Sequence, residues 1–176
     1  MPWRYPRGLS SELIGRDADL QTLLTLAATV RTGQGQTGLI AGEAGVGKSR
    51  LVAELRDTLE RDGFRVCEGQ CFEVDQALPY APVLDLLRAQ LDDLSPERSG
   101  TILAPAAPVL ASLLPELDGF SPVESPVPRL DPAQEKQRLA HALVRLFAAW
   151  SEHQPLLLIF EDVHWADGAS LELLFY

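Results

Sequence analysis

The chain has 176 residues, a formal charge of −10 and a hydrophobic content of 46%. That is enough for one domain with a hydrophobic core, and it excludes wholesale disorder. The longest strictly apolar runs, such as residues 156–160, are about five residues long and too short to span a bilayer, so no membrane contact is expected. Met1–Arg7 holds no apolar stretch of secretory-signal length, and only two cysteines are present. A disulfide scaffold is therefore excluded, and the cytoplasm is the expected address. An acidic surface with only Lys48 and Lys136 beside thirteen arginines repels a phosphate backbone. No direct nucleic-acid contact is expected from this stretch.

Residues 1–13 read as an irregular lead-in. Leu20, Leu23, Leu24, Leu26 and Ala27 recur at helical spacing, predicting a helix from Asp17, its expected cap, to Val30. Thr37–Ala41 reads as a short buried strand, Gly42–Gly47 as a glycine-rich turn, and Lys48–Arg61 as an amphipathic helix stopped at Asp62-Gly63. Phe64–Gly69 alternates like a strand. The sum is a strand–loop–helix–strand unit that opens a parallel α/β sheet.

Pro82–Leu91 reads as a helix, and eight of the thirteen prolines then fall between Pro96 and Pro132. They mark a Pro-rich insertion over about 95–132, with one or two short helices over Ile102–Leu117 and a loop over Gly119–Pro132. A helix follows from Pro132 to His153, with Leu139, Ala142, Leu143, Leu146, Phe147 and Trp150 on one face. Leu156–Phe160 reads as a strand covered on both faces. Leu171–Tyr176 reads as a helix in progress, and three strands are expected in what is taken as the N-terminal part, 1–176, of a longer domain.

The sharpest motif is Gly42-Glu43-Ala44-Gly45-Val46-Gly47-Lys48-Ser49, which fits G-x-x-x-x-G-K-[ST] and lies between an expected strand and helix. Its glycines permit backbone conformations that let successive N–H groups converge on an anion, and the helix N-terminus adds partial positive charge. Lys48 suits β- and γ-phosphates, and the Ser49 hydroxyl suits Mg²⁺. Leu156–Asp162 is the second motif, an apolar strand ending in Glu161 and Asp162. One acid suits Mg²⁺, the other a water aimed at the γ-phosphate. Cys67 and Cys71 are four apart, yet no further cysteine or nearby histidine completes a zinc set, so they read as buried or loop thiols. His164-Trp165 suits either a nucleotide sensor or packing.

With these motifs in place, the chain resembles the signal-transduction P-loop ATPases (STAND class, related to AAA+ proteins) of large bacterial regulators, the LuxR-type, MalT-like family. Leu13-Ile14-Gly15-Arg16-Asp17 with Leu20 is similar to the family's opening segment, and Gly42–Leu51 to its Walker A. Gly69–Phe72 followed by Pro79–Val83 resembles the segment after its second strand. Glu161–Asp167 resembles its Walker B with the "hWaD" extension.

The resemblance implies an α/β three-layer P-loop NTPase with a parallel sheet, truncated at its C-terminal side, that binds ATP and Mg²⁺. Ile14, Gly15 and Arg16 would lie near the adenine. Gly42, Glu43, Ala44, Gly45, Val46, Gly47, Lys48, Ser49 and Arg50 would form the nucleotide site. Ser49, Glu161 and Asp162 would serve the metal, with Glu161 and Asp162 as the catalytic acids. The family's sensor residue, further strands and winged-helix lid would follow beyond Tyr176, so slow hydrolysis is expected. Implied partners are the nucleotide and, in a longer protein, self-association or intramolecular regulatory domains. The alternatives are a P-loop small-molecule kinase and a non-hydrolysing nucleotide-gated scaffold.

Overall fold

The computed structural model describes residues 15–92, 106–111, 113–114 and 131–174. The chain divides into two compact units, Met1–Val66 and Cys67–Tyr176. Among the described residues, no helix is long and apolar enough to cross a membrane.

The first unit holds α1 (Asp17–Val30) and α2 (Lys48–Arg61), packed on each other. Both spans coincide with the sequence reading. Helix α2 turns Leu51, Leu55 and Leu59 inward at the i, i+4, i+8 spacing of a single helix face. Gly63 ends it in a left-handed turn at φ +82, a conformation that costs a Cβ-bearing residue about 1 kcal/mol or more. Phe64 is buried beyond that turn, with the Arg31 guanidinium 5.0 Å from its ring centroid. Helix α1 holds its apolar stripe half-buried. Its N-cap is Arg16 and not Asp17 as expected: no side-chain cap forms, and Asp17 and Asp19 instead place negative charge in the first turn, where the helix dipole favours it.

The strand expected over Thr37–Ala41 does not form. Residues 34–43 adopt neither helix nor strand, and Leu39 is 83% exposed. A short extended segment holds only when a neighbouring strand takes up its N–H and C=O groups. Among the described residues no strand pairs with it.

Among the described residues the sheet is a small parallel one of two strands, not the three expected. Strand β1 (Arg65–Gln70) pairs with β2 (Leu156–Glu161), and the Cys71 N–H donates to the Glu161 carbonyl at 3.2 Å, carrying the pairing one step past β1. The helices are α3 (Ala81–Asp92), α4 (Ala107–Leu110), α5 (Pro132–Ser151) and α6 (Gly168–Leu174). Most of the Pro-rich insertion lies outside the described residues, and α4 is the described helix of the expected 102–117 stretch.

Helix α5 starts where Pro132 predicts. Asp131 accepts from the Gln134 N–H at 2.9 Å while the Gln134 side chain accepts from the Asp131 N–H at 3.3 Å, a reciprocal capping box with Pro at the first position. Its face of Leu139, Ala142, Leu143, Leu146 and Trp150 meets Val83, Leu86 and Leu87 of α3, Leu110 of α4, and Leu114 and Cys67, all buried. Each fully buried leucine contributes about 1.5–3 kcal/mol relative to an exposed one. Phe147 is only half-buried and meets Trp150 edge-on, ring centroids 5.6 Å apart.

Where β1 passes α3 the approach is too close for a side chain. A Cβ on Gly69 would lie 2.4 Å from the Pro82 carbonyl oxygen and 3.1 Å from the Phe160 ring. Gly69→Ala is therefore expected to destabilise the fold by about 1–3 kcal/mol, the usual range for overpacking. Urea unfolding checks this, and an unchanged midpoint would mean α3 shifts without cost.

Candidate functional site

The Gly42–Ser49 loop leads directly into α2. Gly45 at φ +81 and Gly47 at φ +90 take the left-handed conformation, and at neither position would a Cβ meet an atom within 4 Å. The two glycines are thus needed for backbone shape, and the space beside them is open. The opposite holds at Gly42, where a Cβ would lie 3.1 Å from the Val46 side chain. Gly47 caps α2 without any side-chain hydrogen bond, so the first N–H groups of the helix, those of Lys48 and Ser49, open it with no intrahelical acceptors. The Lys48 ammonium lies across the loop, donating to the Gly42 and Glu43 carbonyls at 2.8 and 2.9 Å. An ammonium has three donors, so one remains beyond these two bonds. Residues 42–46 are exposed, and Gly47–Arg50 half-buried.

This arrangement fits a phosphate group. Left-handed glycines flanking a helix N-terminus turn backbone N–H groups into a concave anion site, and a lysine bridges it. Ser49, the second residue of α2, is placed to offer a hydroxyl to a metal held by the same phosphates.

Of the opening segment, Ile14 lies outside the described residues. Gly15 takes φ +73, and Arg16 is joined to the loop itself, donating to the Val46 carbonyl at 3.0 Å and pairing with Asp19 at 2.8 Å. The sequence gives no hint of this link, which spans thirty residues.

Glu161 closes β2, half-buried. Asp162 follows at φ +54, one of two non-glycine residues with positive φ among the described residues, and is exposed. Its carbonyl accepts from the Trp165 N–H at 2.8 Å, so the chain turns sharply out of the sheet into a short 3₁₀ turn over Val163–Trp165. Turns of this kind, just past a strand's C-terminal end, are where α/β folds present catalytic groups. His164 and Trp165 lie together with ring centroids 4.9 Å apart.

Asp167 was named only as part of a motif, and the structure gives it a structural role. It is buried, caps α6 by accepting from the Ser170 N–H at 2.9 Å, and accepts a second bond from the fully buried Ser170 hydroxyl. The signal was present: Asp167-x-x-Ser170 ahead of an apolar run is a helix-start pattern. Tyr80, at φ +65, is the other strained residue, and its carbonyl accepts from the N–H groups of Val83 and Leu84 at the start of α3. Burial, then the Asp167 carboxylate, pushes its hydroxyl pKa up.

Cys67 and Cys71 are buried free thiols, and no set of three or more metal-ligating side chains occurs among the described residues. Burial pushes the Cys71 thiol from 9.0 up to about 11, with the Asp162 and Asp167 carboxylates adding to the shift. The unfolded chain therefore releases this proton at a lower pH than the folded one. The resulting stabilisation is complete below about pH 9 and is lost as pH rises through about 11. Denaturant unfolding between pH 8 and 11 is expected to weaken more steeply in the wild type than in Cys71→Ala. Parallel curves would show that the thiol is not shielded.

A family model described as an AAA ATPase domain matches residues 12–176. The chain belongs to the AAA ATPase domain family. It is a P-loop ATPase domain of α/β class, and membership implies nucleotide binding. The chain is also 29% identical over 174 residues to an uncharacterized protein of Rhizobium meliloti (strain 1021). That match covers 94% of this chain but 17% of the relative. No solved structure matches the chain significantly.

Proposed function

We propose that this AAA ATPase domain is an ATP- and Mg²⁺-binding switch module with slow turnover, working within a multidomain bacterial signalling or transcriptional regulator. The observation that carries the reading is the Gly42–Ser49 loop, with left-handed Gly45 and Gly47 opening α2 and Lys48 drawn across the loop carbonyls. Its backbone N–H groups and Lys48 would hold the phosphates, and Ser49 would serve the metal. Mg²⁺, when bound, neutralises charge on the phosphate oxygens. Glu161 and Asp162, at the C-terminal end of β2, would divide metal binding and water orientation between them. Gly15 would border the base. The match to 17% of a much longer relative supports a module that reports its nucleotide state to other domains.

Titration calorimetry of the protein with ATP, with and without Mg²⁺, tests the reading. ATP binding strengthened by Mg²⁺ is expected. Absence of ATP binding in both arms overturns it, and phosphate transfer from ATP to a small acceptor would replace the switch with a kinase.

A further inference from the structure

The Arg16 guanidinium makes two bonds with different jobs. One nitrogen pairs with Asp19, one turn along α1, which orients the guanidinium; the other donates to the Val46 carbonyl. Val46 O and Gly47 N–H belong to one peptide unit, and across a trans peptide they point in opposite directions. Seating the carbonyl on Arg16 therefore turns the Gly47 N–H away from Arg16.

That orientation matters because Gly47, with open space around it, can rotate this peptide at little steric cost. Rotated by half a turn, the unit would present a carbonyl oxygen where an anion needs an N–H. Two other loop carbonyls, those of Gly42 and Glu43, are held by Lys48, while that of Val46 is held by Arg16.

We propose that Arg16 is a positioning residue for the phosphate loop, fixing the Val46–Gly47 peptide so that its N–H serves the bound anion. The proposal rests on the phosphate-loop reading and extends it by assigning Arg16 to the phosphates and not to the base. It also couples the start of α1 to loop conformation.

The experiment compares Mg²⁺–ATP with Mg²⁺–tripolyphosphate, which carries the phosphates and no base. Arg16→Ala is expected to weaken both by the same factor, about fivefold to tenfold, the scale of one ordinary hydrogen bond lost. Arg16→Lys, which keeps a donor, should recover part of the loss for both ligands. The Gly47 amide resonance should shift in Arg16→Ala before any ligand is added, which a general loss of stability would not single out. A loss confined to ATP, or no loss for either ligand, overturns the proposal. If Arg16→Ala does not fold, Asp19→Asn stands in, with a smaller parallel loss expected and unchanged affinities overturning it. A wild type that binds neither ligand ends the phosphate-loop reading itself, whereas a wild type that binds both with Arg16 indifferent ends only this proposal.

Discussion

Lys48→Ala is expected to weaken Mg²⁺–ATP binding by at least about 1.5–3 kcal/mol, roughly tenfold to a hundredfold. Two effects add in the same direction. The substitution removes the point charge proposed to pair with the phosphates, and it releases the Gly42 and Glu43 carbonyls that the ammonium holds at 2.8 and 2.9 Å. Freed carbonyls can turn their oxygens toward the bound anion. Stability should hardly change, because residues 42–46 are exposed and no buried contact is lost. Calorimetry showing equal ATP affinity in both proteins would remove Lys48 from the site.

Asp162→Asn is expected to slow ATP turnover by about a hundredfold or more, the scale of losing a group that orients a water or stabilises the reacting charge. Asparagine is the chosen replacement because it tolerates the left-handed backbone that Asp162 adopts at φ +54. The charge is thus removed while the turn into Val163–Trp165 is kept. If Asp162 orients the water and Glu161 serves the metal, Asp162→Asn leaves the Mg²⁺ dependence of ATP affinity intact and Glu161→Gln abolishes it. The reverse pattern assigns the roles the other way. Single-turnover measurement with labelled ATP resolves even a wild-type rate on the order of 10⁻³ per second, the intrinsic scale of an unassisted P-loop protein. Equal rates in wild type and both variants would exclude the two acids from the chemistry.

Position along the chain determined much of this protein. The span of α2, the Pro132 start and inward face of α5, the two carboxylates at the end of β2 and the eight-residue glycine-rich loop are local patterns. Helical periodicity, proline at a first turn and glycines ahead of a lysine act within a few residues, so they are legible without a fold. The expected strand at Thr37–Ala41 failed for the complementary reason. Apolar character specifies burial but not a partner, and a strand exists only when a distant segment supplies its hydrogen bonds. The same holds for the site's supports. The Arg16 bond to Val46, the burial of Asp167 beneath the α6 start and the shielding of Cys71 by burial and by two carboxylates each join residues far apart in sequence or set by packing. Local chemistry named the groups proposed to meet phosphate and metal, and only the tertiary structure decided which side chains hold them in place, because those contacts are made through space and leave no periodicity in the chain.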